Sequence, residues 1–438
     1  KKNKRRGING GIEVVAGYPD NYRLAFNLNY RTEKLNMFTS YGLSYRDSPG
    51  GGSGYQEFKW NDTVQSILET ENDRQRQSFG QNVRLGTDIF LNKYNTVTVS
   101  GLFNVSDEEN TAVLEYRDFN DQKELLERSI REDVEQETGQ NVEASINYTK
   151  TFPQEDRKWS TDVQWSESDD LEESDIDENF EPSGNLVNQL TSNLEANRTI
   201  LLQSDYVHPL KNKRVIEGGF RSTLRTIEND FSVEESTNGG EYVIEERFNN
   251  NFEFTENIYA GYLQFGNEID KFSYQLGIRV EQSDITSDLK LTNEVFKQDY
   301  LNFFPSAFFT YKVDKTKQLQ LSYSRRINRP NYRYLLPFQT FSDNRNFWQG
   351  NPNLVPEYTD SYEFGYLRYF EKGSIFSSVY YRYRTNVIDR IVQATSDSTT
   401  VRLPVNLSTE NNMGFEFNGS YNFSKRVSLN ANINLYRA

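Results

Sequence analysis

The 438-residue chain carries only 35% hydrophobic residues and a mean hydropathy of −0.81, yet 14% of it is aromatic, supplied by 30 Phe and 28 Tyr against 4 Trp and 2 Met. Flat rings favour pleated strands, and no run approaches the roughly 18 apolar residues of a membrane-spanning helix, which leaves open a β-barrel whose strands need only about 9 to 11 alternating residues. A net charge of −15 argues against a nucleic-acid partner, and the absence of cysteine excludes disulfides, thiolate metal sites and cysteine nucleophiles.

The chain opens on Lys1-Lys2-Asn3-Lys4-Arg5-Arg6, without an initiator methionine or an apolar signal segment, and stops at Ala438 inside an alternating pattern. Both ends are therefore expected to be cuts in a longer precursor, with 1–6 a linker and 7–438 one strand-rich domain lacking its last strands. From there period-2 alternation dominates. Leu24, Phe26, Leu28 and Tyr30 interleave with Arg23, Ala25, Asn27 and Asn29, and Val83, Leu85, Thr87 and Ile89 with Arg84, Gly86 and Asp88. The same pattern returns at Val142, Ala144, Ile146 and Tyr148, and again at Met413, Phe415 and Phe417 and from Val427 to Leu435.

Short polar turns are predicted at 33–34, 92–95, 154–157, 211–213, 267–271, 314–317, 371–374 and 424–426. Between them lie long connections at 47–74, 107–138, 169–188, 228–249, 286–300, 327–357 and 393–407. Short turns on one rim and long loops on the other are the mark of an outer-membrane barrel. The count is roughly 17 strands, and because complete bacterial barrels close with even numbers, further strands are expected beyond Ala438. Within 375–384 the alternation places Ile375, Val379, Tyr381 and Tyr383 toward lipid, and Phe376, Ser378, Arg382 and Arg384 toward the lumen or rim.

No arrangement for covalent catalysis is found. His208 is the only histidine, it sits in Val207-His208-Pro209 beside a short turn, and it reads as a turn residue; no enzyme activity and no cofactor are expected. Ser48-Pro49-Gly50-Gly51-Gly52-Ser53-Gly54 reads as a loop tip, since no Lys-Ser/Thr and no helix follows it. The stretch Glu167 to Glu181 holds enough carboxylates for a hard cation, with Asp175, Asp177 and Glu178 as weak candidates, but it lacks the central glycine and spacing of an EF-hand and reads foremost as a solvated acidic loop. The connection 327–357 gathers Arg329, Tyr332, Arg345 and Trp348, the side-chain types that bind planar anionic or sugar-like faces. They are candidate ligand residues; the other reading is a self-packed loop whose arginines pair with nearby carboxylates.

The sequence resembles the barrel region of TonB-dependent outer-membrane receptors of the Bacteroidetes type. The resemblance is carried by Asp205-Tyr206-Val207-His208-Pro209-Leu210 with Glu217-Gly218-Gly219, by Ile258 to Tyr262 and by Leu276 to Glu281. Most specific is Arg326-Ile327-Asn328-Arg329-Pro330 through Leu336-Pro337 to Gly350-Asn351-Pro352-Asn353-Leu354-Val355-Pro356-Glu357. It implies a large antiparallel transmembrane barrel of about 22 strands in the intact protein, set in outer-membrane lipid. It also implies a plug domain and a periplasmic TonB partner, both contacted from before residue 1, and a possible surface lipoprotein partner. The implied activity is energised uptake of a siderophore, oligosaccharide or peptide. Two other readings stay open: a barrel serving as adhesin or as scaffold of a surface or secretion assembly, and a soluble secreted β protein that binds carbohydrate.

Overall fold

The computed structural model describes residues 7–60, 62–336, 339–340, 346–394 and 399–437; the expected linker 1–6 lies outside them. One antiparallel sheet runs nearly the whole length. It opens with β1 (Gly7–Gly17), β2 (Asn21–Arg31), β3 (Leu35–Trp60), β4 (Thr63–Phe90) and β5 (Asn95–Asn120), followed by β6 (Leu125–Thr151), β7 (Lys158–Glu181), β8 (Leu186–Pro209) and β9 (Val215–Thr237). A two-residue β10 (Val243–Ile244) pairs on β9. Then come β11 (Asn250–Ile269), β12 (Phe272–Leu289), β13 (Glu294–Lys312) and β14 (Lys317–Asn328). A single helical turn, α1 (Tyr332–Leu335), and the short strands β15 (Gln339–Thr340) and β16 (Asn346–Gln349) precede β17 (Glu357–Phe370) and β18 (Gly373–Thr385). The short β19 (Ile388–Ala394) and β20 (Thr400–Asn406) precede β21 (Thr409–Asn422) and β22 (Ser428–Arg437). Among the described residues the main sheet has 18 strands, and setting aside the two-residue β10 leaves the number counted from the alternation.

All eight predicted short turns fall between consecutive long strands on one rim, from 32–34 between β2 and β3 to 423–427 between β21 and β22. Asn and Asp supply left-handed residues at several tight turns, including Asp270 on this rim and Asp62 and Asn293 on the other. The outward face is most continuously apolar near the short rim. Its cross-strand rows pass through Val99, Ile146 and Val163 and through Phe103 and Val142, and end where Val142 meets Glu167 and Glu167 meets Arg198. There the Arg198 guanidinium donates to Glu167 at 2.9 Å, a pair suited to the polar edge of a lipid-facing band.

The long connections are the main departure from the sequence expectation. Most of 47–74, 107–138 and 169–188, and the part of 228–249 up to Thr237, is not loop but strand, so that β3 to β9 rise far past the apolar band and turn only at tips such as 121–124 and 182–185. From Val105 to Asn120 the rise is on the order of 50 Å along the strand at about 3.3 Å per residue. The glycine-rich tract expected at a tip lies mid-strand, with Ser48 opposite Arg76 and Gly54 opposite Thr70. A Cβ on Gly51 would come within 2.7 Å of the Asn72 carbonyl oxygen, so a bare backbone is what lets the strands approach there. The acidic stretch 167–181 is likewise part of β7.

These projecting strands hold together by polar cross-strand pairs. Arg128 donates to Glu115 at 2.8 Å, Asn110 to Glu135 at 2.6 Å and Asn193 to Glu172 at 3.0 Å. Near the tips Arg131, Ser129, Glu178 and Gln189 are almost wholly buried, with Arg131 donating to Gln189 and Ser129 to Glu178, beside a small core of Phe58, Leu68 and Tyr116. Strands β17, β18, β21 and β22 are shorter, so the wall is tall on one side and low on the other.

The rims can be told apart chemically in a cysteine-free chain. Ser183→Cys at the β7–β8 tip should react with an impermeant thiol reagent on intact cells, whereas Thr316→Cys in the β13–β14 turn should react only after the outer membrane is opened. Both positions are exposed. The reverse labelling would invert the orientation.

Candidate ligand-binding site

The main hydrophobic core lies on the inner face of the tall wall, where the connections 329–356 and 386–408 fold back against it. Ile227, Phe231 and Val233 from β9, Phe252 and Phe254 from β11, and Ile285 and Leu289 from β12 supply the wall side. Tyr332, Leu335, Leu336, Phe347, Leu354 and Val401 supply the inward-packed cap. The cap is one body made from two connections: β15 pairs with β16, β16 runs parallel to β20, and β20 pairs with β19.

Local chemistry explains this shape. The Asn331 side chain caps α1 by accepting from the Arg333 amide at 3.1 Å. Gly350 passes so close to the α1 segment that a Cβ there would lie 2.4 Å from the Leu336 carbonyl oxygen. Next to it the Asn351 amide donates to the Tyr334 carbonyl at 2.6 Å, and the Asn351 side-chain oxygen accepts from the Asn353 amide at 3.0 Å. The Gln298 side chain of β13 donates to the Pro352 and Leu354 carbonyls, both at 2.9 Å, and Asn406 bonds both backbone groups of Val355. A cap with this much buried apolar surface and this many satisfied carbonyls is a fixed part of the inner wall.

Charged contacts complete the docking. Arg329 donates to Glu281 at 2.6 Å and to Ser283 at 2.9 Å on β12. On β8, Glu195 accepts from the Tyr332 hydroxyl and from Arg333, the latter at 3.2 Å. Burial and the Glu195 carboxylate push the Tyr332 hydroxyl pKa up, so it stays a donor.

Between cap and wall a cavity of about 400 Å³ remains. The wall contributes Glu172, Asn193, Glu195 and Asn229, and the cap contributes Arg333, Tyr334, Trp348 and Arg390. Tyr334 and Trp348 pack with ring centroids 5.3 Å apart, and the Arg390 guanidinium lies over both, 5.5 Å and 5.3 Å from their centroids. Other hollows, such as that lined by Phe79, Val105 and Leu194, open on the outward face of the sheet.

The wall beside the cavity is strongly acidic. Glu108, Glu137 and Glu172 stand directly opposite one another on β5, β6 and β7, and Asp170 is opposite Glu195 one row away. Burial, then the neighbouring Glu108 and Glu172, push the Glu137 carboxyl up to about 7. Because the folded chain holds this proton more tightly than the unfolded one, the repulsion is silent at acid pH and grows as pH rises from about 4.5 through 7. Glu137→Gln should therefore slow proteolysis of the projecting strands at pH 8 and have a much smaller effect at pH 5; an equal effect at both pH values would show that Glu137 stays ionised.

Of the sequence-selected residues, Arg329 and Tyr332 are engaged in docking the cap, Trp348 lines the cavity, and Arg345 lies outside the described residues. Asp175 and Asp177 point outward on β7 whereas Glu178 is buried on the opposite face with Arg131. Among the described residues no group of three metal-ligating His, Cys, Asp or Glu side chains converges. Sequence reasoning missed Glu172, Glu195 and Arg390. Glu172 was submerged in an acidic stretch read as loop, Glu195 carried no signal of its own along β8 and reaches the cavity through the pairing of β7 with β8, and Arg390 is brought to Trp348 only through the pairing of β16 with β20.

The model of the outer membrane protein beta-barrel family matches residues 150–438. The chain belongs to that family. No curated protein sequence matches it. Solved structures show the same fold at low identity. The copper transporter OprC is 11% identical with a TM-score of 0.66, over 99% of this chain and 62% of that one. The ferripyoverdine receptor of the outer membrane of Pseudomonas aeruginosa is 12% identical with a TM-score of 0.62, over 100% and 57%. The FrpB iron transporter from Neisseria meningitidis is 11% identical with a TM-score of 0.61, over 100% and 62%. The chain thus spans about three-fifths of the length of these proteins. Among the described residues no helix is long and apolar enough to cross a membrane.

Proposed function

We propose that this chain is the barrel of an outer-membrane receptor of the TonB-dependent kind, from a Bacteroidetes-type bacterium, that takes up a nutrient too large for ordinary porins. The carrying observation is the docked cap on the tall rim, which leaves a preformed cavity of mixed charge on the inner face, at the mouth a substrate would enter. In this reading the long rim faces outside, the complete wall has about 22 strands, and a plug domain and periplasmic TonB act from beyond this chain. The tall strands offer the surface on which a lipoprotein partner would sit. The likeness to metal and siderophore receptors supports this reading through the fold alone.

The cavity residues Arg333, Tyr334, Trp348 and Arg390, together with Arg329, Tyr332 and Arg345 of the same connection, form the proposed recognition surface. Uptake by cells carrying the intact protein should stop on adding a protonophore and on deleting tonB function, while surface exposure of the barrel stays normal. Accumulation that ignores both treatments would remove energised transport and favour the adhesin or scaffold reading.

A further inference from the structure

We propose that the cavity between cap and wall receives a short zwitterionic peptide, with its free carboxylate on Arg390 and its ammonium group near Glu172. This rests on the uptake reading above and gives it a substrate class. The argument starts from unequal use of the charges around the cavity. Glu195 is occupied by Tyr332 and Arg333. Arg390 is not matched in this way: its Nε and Nη2 donate to the Tyr334 hydroxyl oxygen at 3.2 Å and 2.5 Å, and among the described residues no carboxylate forms an ion pair with the guanidinium.

The Arg390 side chain is exposed, in a chain of net charge −15. It is also held in place. Tyr334 and Trp348 lie beneath it, so binding an anion would cost little side-chain entropy, and a guanidinium has five N–H donors, of which the Tyr334 oxygen engages only one edge. The free edge matches a carboxylate in the bidentate manner.

The far wall then restricts what carries that anion. Glu172 accepts from Asn193 at 3.0 Å and stands opposite Glu137, with Asp170 and Glu195 one row away. A dianion such as a phosphate ester would meet these carboxylates with its second charge, and a neutral sugar would cover Arg390 without compensating it. A ligand with one negative and one positive end satisfies both walls. The volume of about 400 Å³ is at the small end of ligand pockets, room for a di- or tripeptide.

The test uses the purified intact protein in detergent, with a tripeptide library bearing free C-termini, the same library C-terminally amidated, and maltotriose, read by affinity selection and titration calorimetry. Free-acid peptides should bind, and amidation or Arg390→Gln should weaken them by about ten- to a hundredfold, the range for a hydrogen bond to a charged group. Arg390→Lys, which keeps the charge but loses the fork, should fall between. Glu172→Gln should weaken peptides with a free amine and leave N-acetylated ones unchanged. Heat-modifiable mobility on gels checks that each variant remains folded. Equal binding of acids and amides, indifference to Arg390→Gln, or no peptide binding would overturn the proposal. If protonophore-sensitive uptake of another nutrient persists in that case, only the peptide assignment falls; if it is also absent, the uptake reading falls with it.

Discussion

Val379→Arg should block insertion of the sheet, while Asn418→Arg on the neighbouring strand should leave it intact. Val379 lies on the outward face of β18, opposite Phe364 and Phe415, and is 51% exposed. Arginine near the bilayer midplane of a barrel costs roughly 2–4 kcal/mol. Asn418 belongs to the inward set with Glu416, is exposed there, and tolerates a charge. Ser378, the inward position suggested by the alternation alone, is the wrong control because it is only 2% exposed, between Gly365 and Glu416 on the adjacent strands. Equal yields of heat-modifiable protein for Val379→Arg and Asn418→Arg would refute the facing of β18.

Leu354→Ala should release the cap without dissolving the wall. Leu354 is fully buried in the core shared by β9, β11, β12 and the cap, and removing a buried leucine side chain costs about 2–5 kcal/mol. The wall is held independently by its backbone ladders, so its gel mobility should stay normal while cleavage within 329–356 accelerates and ligand binding is lost. A variant as resistant as the parent would mean that the Gln298 and Asn406 hydrogen bonds, rather than the apolar contact, hold the cap.

Where one face of a strand meets lipid, the sequence was readable. Leu24, Phe26, Leu28 and Tyr30, or Phe415 and Phe417, alternate because their environments do, and the turns between such strands were correctly placed. The signal vanished past the apolar band for the same reason. Asn110, Glu135, Ser174 and Thr191 form a cross-strand row on the inner face, but the outward face beside them is polar too. Period 2 in hydropathy disappears once both faces are polar, although the backbone ladder continues. The site was half legible: an Arg- and aromatic-rich connection gave Trp348 and the cap, whereas Glu172, Glu195 and Arg390 reach the cavity through pairings between segments far apart in the chain.

The projecting strands also constrain how the protein is made. If the long rim faces outside, as proposed, the β5–β6 hairpin must carry Asp107, Glu108, Glu109, Glu132, Asp133 and Glu135 across the membrane together with their unpaired backbone edges. Passage of such a hairpin through hydrocarbon is prohibitive, since every charge and every open N–H would lose its water. The tips must therefore travel through a hydrated space, the most direct being the interior of the sheet while it is still open along one side. Biogenesis then has an order: the polar hairpins thread first, and lateral closure comes last.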